Sequence, residues 1–190
     1  MDNSVTAALR PRESSLAALG PRQGAQALSP RQPGLAAPSP RQVAAAGLTP
    51  RQLAAEARAL AGRPEEWVSR VRLSAEGRWY ARIHDGADYE VWLISWLPGQ
   101  ETGFHDHGNS AGAFAIAWGA LEESVPGKTA VIGAGQVRAF GPQSVHNVRN
   151  TSASLAISVH AYSPPLTEMT RYKLTPAGLV ATGTEGAETW

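Results

Sequence analysis

The sequence predicts an all-β domain, a sandwich or closed barrel, preceded by short helices and a low-complexity tail. Short β-rich runs recur at 79–84, 89–97, 113–118, 129–132, 136–140, 144–148 and 155–162. They are separated by turn pairs such as Asp85-Gly86, Pro98-Gly99, Pro126-Gly127 and Gly141-Pro142. Strands of that length at regular spacing fit a sheet closed on itself or folded over a second sheet. Composition also changes sharply near residue 48, which sets the upstream edge of the domain.

Residues 1–48 are rich in Ala, Pro, Gly, Ser, Gln and Arg and contain no aromatic side chain. They offer little apolar surface to offset the entropy of ordering and read as a disordered tail. Pro-Arg-Gln recurs from Pro21, Pro30, Pro40 and Pro50, with a degenerate copy at Pro11-Arg12-Glu13, and the repeat reads as duplicated low-complexity sequence. Only the last copy opens a helix with an apolar stripe. Thr49-Pro50-Arg51-Gln52 has the form of a capping box with Pro at the first helical position, and Leu53, Ala57 and Leu60 follow before Gly62 and Pro64. A second short helix is expected near Pro64-Glu65-Glu66-Trp67. The expected domain therefore spans 49–182, with 183–190 a flexible C-terminal tail. About 130 residues suffice for one such core.

The 17 basic and 16 acidic side chains leave a net charge of +1, so charge gives no reason to expect nucleic acid or an anionic membrane as a partner. No cysteine is present, which excludes disulfides, zinc-thiolate sites and iron–sulfur clusters built from this chain. Residues 1–6 carry no apolar core of a leader, and no later stretch is long enough to span a bilayer as a helix. A soluble, cytoplasmic monomer is the expectation.

His105-Asp106-His107, with His146 downstream, carries the chemistry. Histidines at i and i+2 on an extended segment share a side, because strand side chains alternate with a period of two. A third histidine from a distant strand can close one face of a metal ion. The same parity applies to Tyr80 and Arg82, and to Ser158, His160 and Tyr162. His84 reads as a rim histidine, Trp67, Trp79, Trp92 and Trp118 as packing, and Trp190 as tail.

Spacing then points to a family. Gly99, His105, His107 and Gly119 follow the first cupin motif, with Gly112 where a metal-binding Glu is usual. Gly135, His146 and Asn150 follow the second, with Gly141-Pro142 near the place of its Pro-x-Gly. Together with Ser95-Trp96-Leu97-Pro98-Gly99, His146-Asn147-Val148-Arg149-Asn150 and Ser158-Val159-His160-Ala161-Tyr162-Ser163-Pro164-Pro165, this resembles the thiol dioxygenases, in particular the bacterial members of the cysteine dioxygenase type I family, over about residues 50 to 180.

The resemblance implies a cupin jelly-roll β-barrel that holds Fe(2+) through His105, His107 and His146 and converts L-cysteine and dioxygen to cysteine sulfinic acid. It places Arg82 on the substrate carboxylate with Tyr80 assisting, Ser158, His160 and Tyr162 in a catalytic relay, Trp96 and Met169 on the pocket wall, and a cis bond at Ser163-Pro164. Three neutral imidazoles leave the metal charge uncompensated, and a substrate thiolate can supply the missing anion. Animal members join a Cys to the active-site Tyr; the corresponding position here is Gly112, so Tyr162 has to work without that crosslink. A branch acting on 3-mercaptopropionate resembles this one with Gln at the position of Arg82. A zinc hydrolase or isomerase, or a non-enzymatic cupin that senses or stores a small molecule, would keep the three histidines without needing Arg82 or Tyr162.

Overall fold

The computed structural model describes residues 47–186, all within the compact unit Gln42–Trp190. The upstream Pro-Arg-Gln copies and Trp190 lie outside the described residues. Among the described residues one α-helix, two single 3₁₀ turns at Pro64–Glu66 and Val68–Arg70, and eleven strands follow in order. Helix α1 (Pro50–Ala61) starts as its sequence predicts. The Thr49 hydroxyl accepts the Gln52 N–H, and the Gln52 side chain accepts the Thr49 N–H at 2.9 Å. Leu53 and Ala57 are its fully buried residues.

The strands are β1 (Trp79–Asp85), β2 (Glu90–Trp96), β3 (Phe104–His105), β4 (Ala111–Trp118), β5 (Ala120–Val125), β6 (Lys128–Gly133), β7 (Val137–Phe140), β8 (Asn147–Arg149), β9 (Ala156–Ser163), β10 (Glu168–Thr175) and β11 (Gly178–Gly186). All the pairings are antiparallel, in a five-stranded sheet ordered β1-β2-β9-β4-β7 and two three-stranded sheets, β11-β10-β3 and β6-β5-β8. This is the all-β cupin architecture. Gly183–Gly186 are part of β11 and pair with β10, so the expectation of a tail from residue 183 gives way to a strand, and only 187–190 lie outside the described residues.

β2, β4 and β9 are buried along almost their whole length, because each covers two cores. On one face Val91, Leu93, Ala111, Ala113, Ala115, Val159 and Ala161 pack against Leu53, Ala57 and Trp67. On the other face Ile94, Trp96, Phe114, Ile116 and Ala156 pack with Leu121, Ile132 and Val148 from the β6-β5-β8 sheet. A strand covered on both faces reads as a near-continuous apolar run rather than a strict alternation. Small residues dominate the α1-facing side of β4, which lets the helix approach the sheet closely.

Trp118 was expected to pack but is 63 % exposed at the end of β4. A β-bulge between Ile116 and Trp118 shifts the register there and turns the end of the strand away from the core.

Candidate active site

The three histidines converge because two of them face each other across a strand pair. His105 and His146 exchange both backbone hydrogen bonds, His105 N–H to the His146 carbonyl at 2.9 Å and His146 N–H to the His105 carbonyl at 3.0 Å. His107 follows two residues after His105, and the possible ligand nitrogens of all three lie within 4.8 Å of one another. Each residue is almost fully buried. Asp106 points away and fixes the turn: one carboxylate oxygen accepts the Gly108 N–H at 2.9 Å and the other accepts the Tyr172 hydroxyl at 2.6 Å.

The outward ring nitrogens are already engaged. His105 Nδ1 lies 2.9 Å from the Gly103 carbonyl and His146 Nδ1 lies 2.9 Å from Glu123 Oε1. Those contacts select the tautomer in which each Nε2 carries a lone pair toward the cluster centre. Both ring nitrogens of His107 are buried without any hydrogen-bond partner, although its ring is stacked on Phe140. A buried polar nitrogen is expensive to leave unsatisfied, and a metal ion at the cluster centre would satisfy it. Burial first, and mutual repulsion second, hold the His105 and His107 pKa values well below the ordinary histidine range, so these rings are neutral and able to bind a metal near pH 7.

The relay residues lie on the cavity face of β9. Trp96 Nε1 lies 2.8 Å from Ser158 Oγ, Ser158 Oγ lies 2.8 Å from His160 Nε2, and His160 Nδ1 lies 3.3 Å from the Tyr162 hydroxyl. Direction follows from the fixed donor at one end. An indole N–H can only donate, so Ser158 accepts from Trp96 and uses its own hydroxyl hydrogen toward His160 Nε2. Burial, with His146 and Arg78 acting in the same direction, lowers the His160 pKa to about 3. A neutral ring accepting at Nε2 carries its proton at Nδ1, which donates to the Tyr162 oxygen. The phenolic hydrogen of Tyr162 is thereby left to point into the cavity. Burial first, and the buried carboxylate of Glu90 second, push the Tyr162 pKa far above its usual value, so the group stays a protonated donor.

A cavity of about 160 Å³ joins these parts. A cavity of roughly 150 Å³ accommodates a benzene-sized guest, so the space suits a small amino acid or thiol acid. Of the predicted site residues, His105, His146, His160, Tyr162, Tyr80 and Met169 line it. His107 completes the cluster beside Tyr162, with ring centroids 4.7 Å apart.

Two expectations are corrected. Trp96 is fully buried behind the relay and anchors Ser158 instead of forming the wall. Arg82 does not line the cavity: its guanidinium reaches Glu90 Oε2 and Asp85 Oδ2, each at 3.2 Å, over the Trp92 ring. Glu90, almost fully buried, draws it there. Trp92, read from sequence as packing, lines the cavity.

Sequence reasoning did not find Arg78, Thr102, Arg171 and Glu185 on the cavity wall, nor Glu123 behind His146. Arg78 has the parity of Tyr80, and extending β1 one residue upstream would have found it. Gly112 fits its family departure. A Cβ there would overlap the Phe140 ring and approach Tyr162 Cδ1 to 2.9 Å, so Phe140 occupies the space beside the tyrosine. The Ser163-Pro164 bond is cis.

Residues 49–175 match the cysteine dioxygenase type I family. The chain belongs to that family. Among solved structures, a Thermus thermophilus protein is 24 % identical, covering 52 % of this chain and 94 % of its own with a TM-score of 0.49. A Klebsiella pneumoniae protein with a double-stranded β-helix domain is 21 % identical, covering 61 % and 93 % with a TM-score of 0.49. An RmlC-like cupin from Desulfovibrio desulfuricans is 18 % identical, covering 50 % and 91 % with a TM-score of 0.46. Family membership points to a metal-dependent dioxygenase, and the histidine cluster fits a metal ion. Among the described residues no helix is long and apolar enough to cross a membrane.

Proposed function

We propose that this chain is an Fe(2+)-dependent thiol dioxygenase that oxidises L-cysteine to cysteine sulfinic acid. Both atoms of dioxygen enter the product: the thiol sulfur is oxidised by four electrons and dioxygen is reduced by the same number. One observation carries the reading. A cluster of three buried histidines, two of them on the cavity wall, and a protonated phenol with its hydrogen free meet at the same small cavity.

His105, His107 and His146 would hold the ion, and a ferrous ion there would supply a Lewis acid for the thiolate and electrons for dioxygen. The chain does the rest. Ser158 and Trp96 lock the His160 ring, and His160 holds the Tyr162 hydroxyl at the cavity wall. The Tyr162 O–H is placed to donate a hydrogen bond to negative charge developing on the reacting oxygen or sulfur. Ile94, Val148, Leu166 and Met169 make up an apolar part of the wall and limit water beside the reacting atoms.

A second reading, 3-mercaptopropionate as the preferred thiol, is favoured by the displacement of Arg82 from the cavity. The test is oxygen uptake by the iron-loaded protein on cysteine, 3-mercaptopropionate and cysteamine, with sulfinate measured in parallel. One sulfinate per dioxygen on cysteine, faster than on the others, is the expected result. Absence of uptake on every thiol would sink the dioxygenase reading, and faster turnover of 3-mercaptopropionate would replace cysteine with it.

A further inference from the structure

Three arginines lie at or beside the cavity, and two are already engaged. Arg82 is shared between Glu90 and Asp85. Arg171 reaches Glu185 Oε2 through Nε at 3.1 Å and Nη2 at 2.9 Å, and its Nη1 donates to the Thr102 carbonyl at 3.2 Å. Arg78 is different. Its guanidinium lines the cavity over the face of Trp96, 5.2 Å from the ring centroid, and forms no hydrogen bond or ion pair with any described residue.

A guanidinium removed from water without an anion is costly, and stacking on an indole satisfies its face while leaving its N–H fork unused. The fork matches a carboxylate, to which it can donate two parallel hydrogen bonds. Among the described residues the cavity offers no free anion: Glu185 is the one carboxylate on its wall, and Arg171 holds it.

We propose that Arg78, and not Arg82, reads the substrate carboxylate, which makes the cavity a site for thiol carboxylates and excludes plain aminothiols. The assignment rests on the dioxygenase reading for the position of the sulfur. Its carboxylate contact, however, is measurable by binding alone.

The test uses the iron-loaded full chain under anaerobic conditions, with binding of 3-mercaptopropionate, its neutral amide 3-mercaptopropionamide, and cysteamine followed by calorimetry. Truncating one partner of a buried charge pair costs about 2 to 5 kcal/mol, so Arg78→Ala is expected to raise the Kd for 3-mercaptopropionate by about 30-fold or more. The Kd values for the amide and for cysteamine should move less than about threefold on the same scale. Arg78→Lys, which keeps the charge and much of the stem, should recover part of the loss and guards against a folding defect in the Ala variant, with iron content and melting temperature as controls. Arg82→Ala should keep the preference for acid over amide. If Arg78→Lys and Arg78→Ala both keep that preference while Arg82→Ala loses it, the proposal is overturned. Selective acid binding without oxygen uptake would sink the dioxygenase reading and leave Arg78 in place; uptake with unchanged acid binding in Arg78→Ala would do the reverse.

Discussion

β9 presents two faces that are equally buried and chemically opposite. Val159 and Ala161 face α1 in a purely apolar layer, whereas Ser158, His160 and Tyr162 face the cavity in a hydrogen-bonded chain. The apolar face contributes stability by removing surface from water and tolerates no charge. The polar face is tolerated because each group has a partner of matched donor and acceptor type, ending in one hydroxyl hydrogen aimed at the ligand space. One strand therefore joins the fold to the chemistry, and substitutions on its two faces should separate the two.

The largest effect is expected on the helix face. Val159→Asp would bury an unpaired carboxylate at a fully buried position between two sheet neighbours. Several kcal/mol of desolvation is enough to consume most of a typical stability of about 5 to 15 kcal/mol. The variant should lose its cooperative melt and its metal together. A folded, metal-binding Val159→Asp protein would show that α1 is not sealing this face.

Acid should act through the other face, since that is where the buried ionisable groups lie. His160 has a pKa of about 3 in the fold, and His105 and His107 are shifted in the same direction. The unfolded chain takes up these protons below about pH 6.5 while the folded metal-free chain does not. Stability is therefore fully present above that pH and falls as pH drops toward about 3 for His160, by ~1.4 kcal/mol per pH unit for each such histidine. Denaturant melts of the metal-free protein at pH 7, 6 and 5 should show this decline, and His160→Gln should flatten it by one proton. An unchanged slope in that variant would remove His160 from the account.

Tyr162→Phe sharpens the comparison from the functional side. It deletes one hydroxyl, keeps the ring beside His107 and Phe140, and frees His160 Nδ1 of its partner. Turnover should fall by about a hundred- to ten-thousand-fold, as for loss of a group that handles a proton or charge in the reaction. Metal content should be unchanged, with a stability cost of about 1 kcal/mol from the lost hydrogen bond. A melting change as large as that of an apolar core truncation, with turnover intact, would make Tyr162 a packing residue.

The two faces were not equally legible in the sequence. Period-two spacing placed His105 with His107 and Ser158 with His160 and Tyr162, and the capping box placed the start of α1. Those signals are local. β5 was missed because Glu122-Glu123-Ser124 breaks the apolar run, and β10 and β11 because their exposed, mixed-polarity residues carry no alternation. Arg82 was misplaced for a different reason. Strand parity gives the direction of a Cβ, but a long side chain goes to the strongest partner within reach, and Glu90 is buried beside it. The identity of that partner depends on tertiary packing that no local spacing reveals, and the same holds for Glu123 behind His146.

Glu123 supplies the smallest and most discriminating effect. It lies on β5, outside the cavity, with Oε1 2.9 Å from His146 Nδ1 and Oε2 3.5 Å from Arg138 Nε. With His146 Nε2 turned to a metal, Nδ1–H donates to this carboxylate, which fixes the ring and raises its basicity as a ligand. Glu123→Gln keeps the length and offers an amide oxygen to the same N–H, but removes the charge. Metal affinity, measured by competition with a chromophoric chelator, should fall by about tenfold, the lower end of the range for loss of such a partner. Glu123→Ala, which also removes the hydrogen bond, should fall further. Equal affinity in all three proteins would mean that the carboxylate serves Arg138 alone and that His146 is held by its backbone pairing with His105. A graded loss would show that the polar face of the barrel depends on charge placed one layer behind it, as the relay depends on Trp96 behind Ser158.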